Sequence, residues 1–131
     1  MSPQEAIASL DRAVAEDGED VVLRRIVGTV NSVNLDVTCR AFVRPYRLRE
    51  ELLVGTMAQF DFVVTMSKTQ IDAAQWPGGM PVSPSGIPIP DPSIPRKGDR
   101  ILIKGTFRNI EVVGPIEMGG QIVRIEMMTL G

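Results

Sequence analysis

Residues 76–95 read WPGGMPVSPSGIPIPDPSIP, and this stretch limits the possible folds more than any other part of the chain. It holds seven of the ten prolines. Proline fixes φ at about −65° and has no N–H to donate, so neither a helix nor a central strand can run through it. The chain must therefore fold as two blocks of regular structure joined by a long connection. That connection does not have a linker's composition: it carries Met80, Val82, Ile87, Ile89 and Ile94, and its one charge is Asp91. Flexible linkers are polar, and each aliphatic side chain left in water forgoes about 1.5–3 kcal/mol of burial free energy. Long connections inside a compact domain are usually functional or disordered. The isoleucines point to a segment ordered against another subunit.

The block before the connection begins with a helix. Ser2 can serve as N-cap, Pro3 suits the first helical position, and Glu5 completes a capping box. Ile7, Leu10 and Val14 then form one apolar stripe, and Glu16-Asp17-Gly18 closes the helix, with Gly18 expected in the left-handed conformation. The spacing predicts a helix over 3–16. From Val21 the period becomes two. VVLRRIVGTV (21–30) reads as a strand, followed by a turn into LDVTCRAFVRPYR, where Leu35, Val37, Cys39, Ala41 and Val43 share the core parity. The opposite parity puts Phe42 on the outer face between Arg40 and Arg44. MAQFDFVVTM (57–66) is a further strand, with Phe60, Phe62, Val64 and Met66 on one face. SKTQIDAAQW then predicts a short helix capped by Ser67, with Ile71, Ala74 and Trp76 on one side. Beyond the connection, strands are expected near 100–104, 107–113 and 121–128.

The expected class is mainly β: a small barrel or sandwich of about six strands with an N-terminal helix, a second short helix and a long proline-rich loop. With 131 residues the chain is read as one domain, with the helix at 3–16, the barrel at 21–75 and 97–131, and the loop at 76–96. No run is long and apolar enough for a membrane span, and no export signal precedes the first helix, so the expectation is a product made in the cytoplasm. There is no histidine. That removes the commonest general base and the usual metal ligand, so no enzyme, metal or cofactor is expected. A net charge of −2 argues against gripping nucleic acid through its phosphates. No phosphate-cradling glycine motif is present.

Several side-chain groups invite a role, and each has an ordinary alternative. Glu50 and Glu51 are adjacent acids in a charged stretch and read as a solvated turn. Cys39 lies on the core parity without a basic neighbour and reads as a small buried hydrophobe. Arg40, Phe42, Arg44, Arg47 and Arg49 form a basic cluster with one aromatic, open to three uses: a partner protein, a plain solvated face, or nucleic acid. PIPDPSIP resembles a polyproline ligand but lacks the flanking arginine that usually anchors one.

The arrangement as a whole carries a resemblance. The stretch FDFVVTMSKTQIDAAQWP is followed by Lys97-Gly98-Asp99 opening a hairpin, with Ile101 and Ile103, Gly105 at the turn, Ile110 and Val112 returning, and Ile122 to Met127 closing. This resembles the head-tail joining, or head-completion (stopper), proteins of long-tailed bacteriophages and gene transfer agents. The resemblance implies a virion protein of the neck, assembled in the host cytoplasm. It implies a homo-oligomeric ring, commonly sixfold, with a portal or adaptor above and a tail terminator or tail tube below, through which DNA passes without being read. Met80, Ile87, Ile89 and Ile94 are then expected contacts of the loop, and Arg40, Phe42 and Arg44 a second patch. Two alternatives stand beside it. One is a tail terminator or tail-tube-like protein, for which a long hairpin of alternating strands is expected and is not evident in the sequence. The other is a binding module that presents the polyproline loop to a partner.

Overall fold

A computed structural model describes residues 2–28, 30–45, 62–78 and 93–130. Their order is α1 (Pro3–Asp17), β1 (Glu19–Val27), β2 (Val33–Pro45), β3 (Phe62–Met66), α2 (Thr69–Ala73), β4 (Arg100–Ile103), β5 (Thr106–Met118) and β6 (Gln121–Leu130). Every ladder is antiparallel, and the strand order β1-β2-β3-β6-β5-β4 closes on itself because β4 pairs with both β5 and β1. Among the described residues the mainly-β class is thus a closed six-stranded barrel with two helices. Closure gives every strand a partner on both sides over at least part of its length, so no strand is an edge throughout.

Period-two patterning fills the interior. On β2, Val37, Cys39 and Ala41 are buried, with Leu35 and Val43 packed against the core from the same parity. Val21 and Leu23 of β1, Ile101 and Ile103 of β4, Ile110 of β5, and Ile125 and Met127 of β6 meet them. Ile71 of α2 and Trp76 just beyond it join the same cluster, so the short helix and its exit are part of the core. Ala74, expected on that side, is exposed.

Helix α1 starts as the capping pattern predicts, with the Ser2 hydroxyl accepting the Glu5 N–H at 3.1 Å. Its stripe docks unevenly: Val14 is buried, Ile7 and Leu10 half-buried. Its end differs from the expectation. Gly18 is extended, at φ −86°, not left-handed. A Cβ there would lie 2.5 Å from the Val14 carbonyl oxygen and 2.7 Å from that of Ala41. Glycine is required for the close approach of helix and strand, not for a left-handed cap. The capping work falls to Arg40 on the facing strand. Its guanidinium donates to the carbonyls of Val14, Ala15 and Gly18 at 3.2, 3.2 and 2.8 Å, placing a cation at the negative end of the helix.

Other boundaries shift for identifiable reasons. Lys68, not Ser67, occupies the N-cap position of α2. The Ser67 hydroxyl still accepts the Thr69 N–H at 3.4 Å, and it donates to Asp11 of α1, whose other oxygen accepts from the Thr69 hydroxyl at 2.7 Å. One carboxylate therefore ties the two helices. Strand β1 stops at Val27, and the expected start of β3 at 57–61, with Phe60, lies outside the described residues. The largest difference is β5, which runs through Gly114-Pro115 to Met118 where 107–113 was expected. Strand β4 pairs only with Thr106–Asn109, so β5 is an edge from there on and tolerates a proline. A register shift between Ile110 and Val112 also reverses the parity: Ile110 is buried, Val112 is 44% exposed, and Val113 turns to the core. With β6, this strand makes a long hairpin that the sequence reading did not find.

Candidate functional site

The described residues on either side of 79–92 converge on one side chain, Arg25. On β1 the inward parity runs Val21, Leu23, Arg25, so this guanidinium points where a hydrophobic residue would be expected. Its Nε donates to Asp99 Oδ1 at 3.0 Å and its Nη2 to Asp99 Oδ2 at 2.7 Å, and both side chains are 5% exposed. Two parallel bonds are the geometry in which arginine binds a carboxylate most strongly. The same Nη2 lies 3.2 Å from the Ile94 carbonyl oxygen, which it also serves as donor. The guanidinium carbon sits 4.6 Å from the centre of the Trp76 ring, a cation–π contact within an apolar wall. Trp76 in turn donates its indole N–H to the Leu35 carbonyl at 2.8 Å, and Leu35 is the residue opposite Arg25 on β2.

The Lys97-Gly98-Asp99 motif explains how the carboxylate reaches this position. Gly98 takes φ +99°, a left-handed conformation that a side chain would strain. Its N–H donates to the Ile110 carbonyl at 3.2 Å, while Ile110 N–H donates to the Asp99 carbonyl at 2.9 Å. The turn is thereby held on β5 with the Asp99 carboxylate directed inward, where it also accepts the Arg96 N–H at 3.0 Å. Pro95 is fully buried beside Ile94. Chain entry at Trp76 and chain return at Ile94–Asp99 are therefore bolted to the barrel at the same point.

Of the residues singled out from the sequence, Met80, Ile87 and Ile89 lie outside the described residues, as do Arg47, Arg49, Glu50 and Glu51. Ile94 is half-buried, and its carbonyl belongs to the Arg25 cluster. Arg40, Phe42 and Arg44 do share the outer face of β2. Arg40 is committed to the end of α1 and to Asp20 at 3.2 Å, Phe42 is half-buried opposite Thr65, and Arg44 is exposed opposite Val63. From Leu35, beside the Arg25 cluster, to Arg40 is five residues, or about 17 Å of strand. The structure thus keeps Ile94 and the β2 patch as separate surfaces.

Cys39 is 1% exposed, and burial pushes its thiol up to about 12. At pH 8 the thiolate, which is the reactive form, is then about one part in ten thousand. Native protein is expected to resist alkylation by iodoacetamide at pH 8, and to react at the rate of a free thiol once denatured. Rapid labelling of the folded chain would place Cys39 outside the core. Among the described residues no group of three potential metal ligands occurs, and no helix is long and apolar enough to cross a membrane. In comparisons with known proteins, no family model, no curated protein and no solved structure matches the chain.

Proposed function

We propose that this protein is a structural, non-enzymatic component of a bacteriophage-type head-tail connector: a neck subunit that forms a ring below the portal or adaptor, closes the DNA-filled head and offers the surface on which the tail docks. The observation that carries the reading is the fixation of both flanks of 79–92 by Arg25, Trp76 and Asp99. A segment rich in proline and isoleucine, rooted at one point on a rigid barrel, suits an arm that loses little conformational entropy on docking. The small closed barrel and the Lys97-Gly98-Asp99 turn leading into a hairpin agree with the same reading. Met80, Ile87, Ile89 and Ile94 are the proposed contacts of the arm, with Phe42 and Arg44 as the second patch and Arg40 supporting it from within.

Replacing 79–92 by a short glycine-serine linker tests the arm. The expected product is a folded protein with its thermal transition retained and its assembly onto the connector lost. Infectious particles completed by the shortened protein would remove the arm from the account.

A second reading within the same machinery gains from one observation. The β5–β6 hairpin, over Thr106–Leu130, is the long hairpin expected of a tail terminator or tail-tube-like subunit. Polymerisation into long tubes without heads would favour that reading over the neck ring.

A further inference from the structure

Two exposed features of the chain each present aliphatic side chains, and their flanks carry opposite charge. The first is the tip of the β1–β2 hairpin. Ile26, Val27, Val30 and Val33 are 46%, 48%, 80% and 56% exposed, and no charged residue falls between Val27 and Asp36. An aliphatic tip this bare, on a small domain, marks an interaction surface. Its flank is basic. Arg100 lies directly across from Arg24 on the neighbouring strand, an arrangement of like charges that is unfavourable in the isolated chain. Arg24 is neutralised by Asp36 through two bonds of 2.9 Å and rests on Phe107, but Arg100 and Arg96 are exposed and without an ion-pair partner among the described residues.

The second feature is an open groove of about 450 Å³ between α1 and the β5–β6 hairpin, with apolar walls from Leu10, Ala13, Ile116 and Met118, Ser9 on its helix side, and on its strand side Glu117 and Arg124, the latter paired with Glu126 at 3.5 Å. Small residues on the helix leave it room for aliphatic side chains. Its flank is acidic: Glu16 and Asp17 follow Ala13 by three and four residues, on the same helix face, and both are exposed without an ion-pair partner among the described residues.

We infer that the occupant of this groove is a second copy of the chain, entering by its β1–β2 tip, with Arg96 and Arg100 of one copy opposite Glu16 and Asp17 of the next. The aliphatic tip supplies the desolvated centre and the charges fix the register, as interfaces commonly divide those tasks. The contact is heterologous: each copy uses one surface to give and another to receive, so it repeats from subunit to subunit, as a ring or a filament requires. It deepens the ring reading by naming the subunit contact, and it can fail independently of the neck role.

Cysteine crosslinking tests it, since Cys39 is buried and stays silent. A Val30→Cys, Ser9→Cys double variant is expected to give a ladder of disulfide-linked species on mild oxidation, and neither single variant should. Dimers from Val30→Cys alone, as abundant as the products of the double variant, would mean that tips meet tips and would overturn the inference. So would a double variant that forms no crosslink. In sedimentation velocity, Arg96→Glu with Arg100→Glu should weaken self-association at least tenfold, and adding Glu16→Lys and Asp17→Lys to the same chain should restore it. Unchanged association in the first variant, or no recovery in the second, contradicts the pairing. Rings below a portal without the crosslink would remove this contact and leave the neck role standing. A crosslinked ladder from a protein that never joins heads would do the reverse.

Discussion

Asp99→Ala is expected to lower the unfolding free energy by about 3–5 kcal/mol, because it strands the Arg25 guanidinium, buried at 5% exposure, without its carboxylate. The loss comes less from the attraction removed than from the charge left behind. The control is therefore the double replacement Arg25→Met with Asp99→Leu, which takes both charges out together and should cost much less than Asp99→Ala alone. Denaturant titration at neutral pH reads both. If Asp99→Ala cost under about 1 kcal/mol, the pair would be behaving like a solvated surface bridge and the bolt at the root of 79–92 would not exist.

Trp76→Ala should be comparably damaging, at about 3–5 kcal/mol. The ring is 4% exposed, covers the Arg25 guanidinium, and satisfies the Leu35 carbonyl. Trp76→Phe separates these contributions: it keeps an aromatic face over Arg25 and forgoes the indole hydrogen bond, which is worth about 1 kcal/mol. Because Trp76 and Asp99 both act on Arg25, their losses should not add; a double-mutant cycle is expected to show a coupling of about 0.5–3 kcal/mol. Strict additivity would mean that the two flanks are held independently, and a single anchoring point for both flanks of 79–92 would have to be given up.

What could be read from the sequence was what is local. The alternation in β2 put Val37, Cys39 and Ala41 inside and Phe42 on the opposite face, where it is half-buried, because a period of two needs no partner to be recognised. Ser2, Pro3 and Glu5 marked the start of α1 for the same reason. The misses all depend on something distant. Gly18 was expected to be left-handed because the Ala41 carbonyl, 23 positions away, is invisible to a capping rule. The run of β5 past Gly114-Pro115 depends on where β4 stops pairing.

Arg25 is the instructive case: the sequence reading passed over it, although its position on the same parity as Val21 and Leu23 in VVLRRIV marks a charge that needs a buried partner. The carboxylate that answers it is 74 residues away, in a motif whose expected task was only to open a hairpin. The recognisable part of Lys97-Gly98-Asp99 is its turn chemistry, whereas its energetic role appears only when both flanks of the proline-rich segment are seen on the same arginine. The tip at Val30 and the groove along α1 were missed for a related reason: an exposed aliphatic and a helix face become complementary only once the barrel sets their surroundings.

Electron microscopy of heads purified from cells with and without this protein tests the proposed place in the neck. A ring of density is expected below the portal in the first preparation; without the protein, the ring should be missing, the genome should leak and tails should not join. DNA-filled heads that bind tails normally in its absence would contradict it.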